Sequence, residues 1–258
     1  MAYAEISGKD NARIKRIVKL QTSSRYRREE GFFVLEGLRT IEDAYENNIK
    51  LSEFYFTQTA YDKFSSDIEK FAQTADFTAQ ISDNIAKNIS DTFTPQGIFA
   101  VANIPEKREN ISEKGKYIAL ENIQDPANLG AVSRSAEALG IDGIIISNDS
   151  CDPFSPKSLR ASMGTILRVP LYFTDDIASF LKKTTASSYA CVVNDDAQKV
   201  GTFSFNGFSI AVIGNEANGL TQRTKDACDI TVTVPMKGRA ESLNAAAAAS
   251  IVMWEMVK

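Results

Sequence analysis

Three stretches of this chain hold polar residues at spacings that could do chemistry. Asn128 and Arg134 stand six residues apart in ENIQDPANLGAVSRSAEALG. Gly214, Asn215, Glu216 and Gly219 fall in IGNEANGL, directly after an apolar run. Met236, Ser242, Leu243 and Asn244 occupy VPMKGRAESLN, just before an alanine-rich segment. A guanidinium can steady an oxyanion or a phosphate, and an asparagine side chain can donate and accept at once. A loop that runs from a strand into a helix also points backbone N–H groups at a ligand. The 258 residues include no histidine. Ser–His and Cys–His catalysis, His-ligated metals and a histidine base are therefore excluded. Cys151, Cys191 and Cys228 are odd in number, far apart and without a CxxC. That pattern speaks against a disulfide framework and a zinc site, so no metal is expected, and it suits a reducing cytoplasm.

Each stretch has a plainer reading beside the chemical one. Asn128 could be a helix N-cap and Arg134 a surface arginine. The glycines of IGNEANGL could bracket an ordinary strand–helix turn; no Lys-Ser/Thr follows Gly219, and the stretch is not GxGxxG. Ser242 or Asn244 could simply cap the last helix.

The elements that must position these residues follow from the apolar pattern. Strands are expected at Tyr117 to Leu120, Gly143 to Ser147, Val169 to Phe173, Tyr189 to Val193, Ser209 to Ile213 and Ile230 to Val234. Helices fit Ala131 to Leu139, Ser155 to Ser162, Asp176 to Lys183 and Leu220 to Ala227 between them. Short, continuously apolar strands separated by helices predict an α/β fold with a parallel sheet covered on both faces. In such a sheet ligands bind beyond the carboxyl ends of the strands, where all three polar stretches fall. Earlier, helices are expected at Asn11 to Leu20, Glu36 to Asn47, Tyr61 to Ala72 and Ile81 to Asn88, with strands at Phe32 to Leu35, Leu51 to Phe56 and Gly97 to Ala102. That is a smaller α/β unit. The polar IPEKRENISEKGK reads as a linker, giving domains at 1–104 and 117–258 joined by 105–116.

The net charge of −4 hides a segregation. Ser7 to Arg28 carries Lys9, Arg13, Lys15, Arg16, Lys19, Arg25, Arg27 and Arg28 against Asp10, which leaves −11 on the rest. The stretch QTSSRYRREEGFF reads as a basic loop with Tyr26 inside it. An RNA-backbone grip with an aromatic for stacking is one reading, and a solvated basic surface is the other. Arg13, Lys15, Arg16, Arg25, Arg27 and Arg28 are the RNA-binding candidates. No apolar run approaches the roughly 20 residues that span a bilayer, and the start lacks a signal-peptide core, so no membrane partner is expected.

NLGAVSR, GNEANGL and PMKGRAESLN, in this order and spacing, resemble the three signature motifs of the SpoU (TrmH) family, RNA ribose 2′-O-methyltransferases of the SPOUT superfamily. The resemblance covers about Lys116 to Lys258 and includes RASMG at Arg160 to Gly164; FVLEGLRTIEDA resembles the substrate-binding domain that precedes the catalytic one in many rRNA-directed members. It implies a C-terminal SPOUT-type parallel sheet with a trefoil knot, which periodicity alone would not suggest. It implies S-adenosylmethionine as cofactor, held by Gly214, Asn215, Glu216, Gly219, Met236, Ser242, Leu243 and Asn244. It places the proposed catalytic arginine at Arg134, six residues after the asparagine matched by Asn128. Glu216 and Asn244 would order the site, and Ser242 would contact substrate or cofactor. Alanines after Asn244 are the one departure.

The implied activity is methyl transfer to a ribose 2′-hydroxyl, with 23S ribosomal RNA favoured because of the extra N-terminal domain. The alternatives are a transfer-RNA 2′-O-methyltransferase and a noncatalytic RNA- or ribosome-binding protein of the same fold. A nucleotide-dependent oxidoreductase would need a glycine-rich turn after an early strand together with an acidic residue at the next strand's end, and no such pair occurs. The last helix has almost no polar face. It must be buried or shared with another chain, and the family's shared active site implies a homodimer.

Overall fold

A computed structural model describes residues 3–106, 108, 110–205 and 207–258. The chain divides into two compact units, Met1–Glu106 with Phe154–Arg160, and Lys107–Pro153 with Ala161–Lys258. Of the expected linker, positions 107 and 109 lie outside the described residues, as do 1 and 2 of the expected first domain.

The first unit is built on a five-stranded sheet of β1 (Ala4–Ile6), β2 (Phe32–Glu36), β3 (Leu51–Phe56), β4 (Phe77–Ile81) and β5 (Ile98–Asn103), in the order β1-β4-β3-β5-β2. β1, β4 and β3 run parallel, while β5 is antiparallel to both β3 and β2. Alternation along β3 sends Tyr55 to one face and Phe54 and Phe56 to the other. On the Tyr55 face, α1 (Ala12–Thr22) and α5 (Asp83–Ile89) bury Ile14, Ile17, Leu20, Ile85 and Ile89. The opposite side receives α4 (Gln58–Ala72), whose Phe71 ring sits 6.0 Å from that of Phe54. The third helix, α3 (Leu38–Glu46), buries Ile41 and Ala44.

Three departures from the sequence expectation arise here. QTSSRYRREEGFF is not a loop: Ser24–Glu30 forms α2, capped by Ser23 Oγ, which accepts from the Tyr26 N–H at 3.2 Å, and closed by Gly31 in the left-handed region (φ 75°). A seven-residue helix of charged residues has no apolar period to betray it. The second departure is a pair of unassigned strands, β1 and β4, which are short and partly polar. In the third, the segment Phe154–Arg160, which contains the start of α7 (Pro156–Ser162), belongs to the first unit, where the Phe154 ring lies 5.0 Å from Phe33.

The second unit carries a seven-stranded, wholly parallel sheet. Its strands are β6 (Lys116–Leu120), β7 (Gly143–Ser147), β8 (Leu171–Thr174), β9 (Ser187–Cys191), β10 (Gln198–Lys199), β11 (Ser209–Ile213) and β12 (Ile230–Thr233), ordered β10-β12-β9-β11-β6-β7-β8. The two-residue β10 is the one strand here that the apolar pattern could not show. The expected trefoil knot is consistent with this order. One face packs on α8 (Ile177–Leu181) and the neighbouring α9 (Gln222–Ala227), burying Tyr117, Ile145, Ile210 and Val212 with Ile177 and Leu181. The other is covered by α6 (Pro126–Leu139) and α10 (Ala245–Val257), which touch through Ser135 and Ser250, their hydroxyls 2.7 Å apart. Because every strand is parallel, the loops after β6, β9, β11 and β12 emerge along one edge.

Candidate active site

Helix α6 begins five residues before the expected Ala131, and this reorganises the first motif. Asp125 is the N-cap, its side chain accepting from the Ala127 N–H at 2.9 Å, and Pro126 takes the first helical position. Proline suits that position, since its missing N–H would have had no intrahelical partner. Asn128 therefore lies inside the first turn, and the capping reading of it is wrong. Its side chain is buried and points at the other two motifs.

A chain of hydrogen bonds links all three. Asn128 Nδ2 donates to Glu216 Oε1 at 2.8 Å, while Asn244 Nδ2 donates to Asn128 Oδ1 at 2.9 Å. Asn244 Oδ1 in turn accepts from the Ala246 and Ala247 N–H groups at 2.9 and 3.2 Å, capping α10 as expected. Glu216 also accepts from the backbone N–H groups of Gln124 (3.1 Å) and Asp125 (3.2 Å). Its carboxylate thus sits at the start of α6, where the helix dipole favours negative charge. Burial alone would raise the Glu216 pKa; the hydrogen bonds from Asn128 and from backbone amides outweigh it and hold the carboxyl below its ordinary value. The oxygen and the nitrogen of both asparagine side chains have partners here, so replacing either by an acid or an apolar group breaks the link between the motifs.

The second motif folds on itself. Asn215 N–H donates to Gly219 O at 3.1 Å, and Gly219 N–H returns a bond to Asn215 O at 2.9 Å. Asn215 Oδ1 accepts from the Ala217 and Asn218 N–H groups, and its Nδ2 donates to Asn122 O at 2.8 Å. Gly214 is required by close approach: a Cβ there would lie 2.2 Å from the Gly219 carbonyl carbon and 2.3 Å from the Leu220 nitrogen.

These loops enclose a cavity of about 380 Å³ at the carboxyl edge of the sheet. Gly214, Asn215, Glu216, Gly219, Met236, Ser242 and Leu243 all line it, and Asn244 stands behind it as the cap of α10. The rest of the wall is largely apolar, from Val192, Leu220, Val232 and Val252. An apolar slot with backbone along one side and a few polar groups is what a flat, polar-edged organic molecule of cofactor size requires. S-adenosylmethionine fits that description, with Gly214–Gly219 and Met236–Leu243 as the residues that would hold it.

Arg134 is not brought into this cavity. It is exposed on α6, two turns beyond the start of the helix, and among the described residues it has no ion pair. No group of three or more Cys, Asp or Glu among the described residues is placed to hold a metal, and the three cysteines are free. No helix there is long and apolar enough to cross a membrane.

The basic candidates are scattered by the fold. Arg27 is 3% exposed and turned inward, donating from Nη1 to the Leu20 and Gln21 carbonyls. Its part in an RNA grip is therefore corrected: it ties α1 to α2. Arg13 and Arg16 both bond the buried Glu53, and lie over the Phe77 and Phe32 rings. Lys15 pairs with Asp10 at 3.1 Å and Arg25 with Glu29 at 2.6 Å. Arg25 and Arg28 remain exposed.

Known proteins place the chain. The model of the SpoU rRNA Methylase family matches residues 115–254, and that of the MRM3-like substrate binding domain matches 11–100. A 23S rRNA (guanosine(2553)-2′-O)-methyltransferase of Bacillus subtilis is 27% identical over 98% of both chains. A 23S rRNA (uridine(2479)-2′-O)-methyltransferase of Streptomyces viridochromogenes is 28% identical over 96% of this chain and 90% of that one. Among solved structures, the SpoU methyltransferase AviRb from the same organism, in complex with AdoMet, superposes with a TM-score of 0.83 at 25% identity, over 96% of this chain and 98% of that one. An AdoMet-bound rRNA methyltransferase of Sinorhizobium meliloti shares the fold with a TM-score of 0.87 over 98% of this chain and 97% of that one, at 24% identity. With its signature motifs joined at one cavity and the family model spanning more than half its length, the chain belongs to the SpoU rRNA methylase family.

Proposed function

We propose that this protein transfers a methyl group from S-adenosylmethionine to a ribose 2′-hydroxyl of RNA, with 23S ribosomal RNA as substrate, and that it works in the cytoplasm as a homodimer. The observation that carries the reading is the Glu216–Asn128–Asn244 chain, which joins three loops far apart in sequence around one cofactor-sized cavity. The full-length likeness to 23S rRNA 2′-O-methyltransferases supports the choice of RNA. Residues 117–258 would carry the transfer and 1–104 would bind substrate, with 105–116 between them.

Bound in the cavity, S-adenosylmethionine supplies an electrophilic methyl group. The chain's own residues position and stabilise. Glu216, Asn128 and Asn244 fix the loops that form the cavity, and Ser242 stands on its rim to meet cofactor or ribose. Arg134 keeps its proton too tightly to act as an ordinary base, so its role is to steady the 2′-oxyanion and an adjacent phosphate while phosphate or water takes the proton. Since Arg134 lies outside the cavity of its own chain, the dimer would bring it to the partner's cavity. An apolar stripe on α10 supports that assembly: Ala247, Ile251 and Trp254 recur at helical spacing, and Ile251 and Trp254 stay 39% and 57% exposed.

The test is transfer from labelled S-adenosylmethionine to 23S and transfer RNA, read by nucleoside analysis. A 2′-O-methylnucleoside in 23S RNA is expected. R134A should lower the rate by about 10²-fold or more with cofactor affinity unchanged. Cofactor binding without transfer to any RNA or ribosomal particle would leave the noncatalytic reading instead.

A further inference from the structure

The first unit has a groove of its own at the carboxyl edge of its sheet. The loops after β3 and β4 and the segment 90–97 leading into β5 enclose about 900 Å³, lined among others by Thr59, Lys63, Lys87, Phe93 and Gln96. Phe93 is fully exposed, at 102% of its reference area. A single exposed aromatic is ordinary where a loop has no fixed course. This loop has one. Glu36 Oε1 accepts from the Ser90 and Thr92 hydroxyls at 2.6 Å each, and its Oε2 accepts from the Asp91 N–H at 3.0 Å. Gln96 Oε1 accepts from the Leu38 N–H, and Gly97 O from the Thr57 N–H, both at 2.9 Å. Gly97 sits at φ 76°, and a Cβ there would strike Thr57 Oγ1 at 2.5 Å. Fastened on both sides, the loop holds a bare aromatic ring in water at the mouth of a groove.

The charges around the ring differ from those of the N-terminal helices. Among the described residues, neither Lys63 nor Lys87 has an ion pair, and both are exposed. Asp83 also lines the groove, with Oδ2 accepting from the Thr59 hydroxyl at 3.1 Å. One ring, two unpaired lysines and hydroxyl or amide groups match a stacked base between phosphates. A protein partner would favour a contiguous apolar centre with lysine depleted.

We propose that this groove holds an unpaired segment of the substrate RNA, with a base stacked on Phe93 and phosphates against Lys63 and Lys87. The proposal rests on the RNA-methylating reading above and locates where that RNA is held.

The experiment uses the full chain, a 23S RNA transcript and intact ribosomal particles, with affinity measured over a salt series beside the transfer rate. F93A should weaken transcript binding about tenfold or more and slow transfer at low RNA concentration, while F93W binds like the parent protein. K63Q with K87Q should reduce the salt slope of log affinity by about 1.4, as two phosphate contacts on single-stranded RNA require. S-adenosylmethionine affinity should stay unchanged in all three. F93A that binds and methylates like the parent overturns the groove, and so does a defect confined to particles, which would assign the ring to a ribosomal protein. A parent protein that neither binds nor methylates either RNA form overturns the functional reading and the groove with it.

Discussion

The two units use their polar residues in opposite ways. In the first, eight cations crowd into 22 positions, yet folding disperses them: Arg27 turns inward, Arg13 and Arg16 converge on Glu53, and Lys15 and Arg25 pair with nearby acids. In the second, Asn128, Glu216 and Asn244 lie 88 and 116 residues apart in their pairings, and folding brings them into contact. Proximity in sequence therefore predicts little about a shared site. Position at the carboxyl ends of parallel strands predicts much more, because a parallel sheet delivers all such loops to one edge. Buried Tyr55 shows how thoroughly the first cluster has been absorbed: burial and the hydrogen bond to Glu53 push its phenol far above its ordinary range.

The contrast is broken most severely by G214A. No side chain can yield at this position, because the clash is with the backbone of Gly219 and Leu220. The loop must open, and cofactor affinity should fall by about 10²-fold or more while the protein keeps its far-ultraviolet circular dichroism and its RNA affinity. Calorimetric titration with S-adenosylmethionine checks this; retained affinity would show that the loop is not the cofactor's seat.

N128A comes next. It removes two hydrogen bonds made by a buried side chain, one of them to the Glu216 carboxylate, and should cost about 2 kcal/mol of stability in denaturant melts. The N128A and N244A effects should be strongly non-additive, since both break the same chain; additive losses would mean that the two bonds are independent. R27A in the first unit should cost a similar or slightly smaller amount, on the order of 1–2 kcal/mol, by leaving the Leu20 and Gln21 carbonyls without their donor. A surface arginine would cost nothing measurable.

How much of this was legible in the sequence depends on the kind of signal. β3, β7 and β11 begin and end where their apolar runs do, and the capping role of Asn244 follows from its place before an alanine run. The three loops were legible as a set through their motifs. The direction of Asn128 was not, because it depends on α6 starting at Pro126, and DPAN reads equally well as a turn. α2 was hidden by its charge, and Phe93 by its setting in DTFTPQG, where an aromatic between threonines signals nothing until its exposure is known.

The smaller predicted effects sharpen the comparison. The Glu216 carboxyl has its folded-state pKa below the ordinary value, so its ionised form stabilises the fold above that ordinary value. The contribution is lost as pH falls through the lowered pKa. Melting temperature followed from neutral pH into the acid range should therefore drop less steeply in E216Q than in the parent protein, starting from a lower plateau. Parallel curves would mean that the hydrogen bonds to Glu216 do not distinguish its two charge states.

The smallest effect belongs to the exposed arginines of α2. Arg25 is already paired with Glu29, and Arg28 stands in solvent, so R25Q with R28Q removes charge without removing any buried contact. Stability should stay within about 0.5 kcal/mol of the parent, in contrast to R27A one position away. RNA affinity should fall a few-fold at low salt, and the deficit should shrink as salt rises, because a long-range charge is screened over about 10 Å at 0.1 M. A larger loss of RNA binding from this pair than from F93A would restore the N-terminal helices as the main grip. A loss near zero would leave their charge as solvation of a surface whose inner arginines have already found their partners.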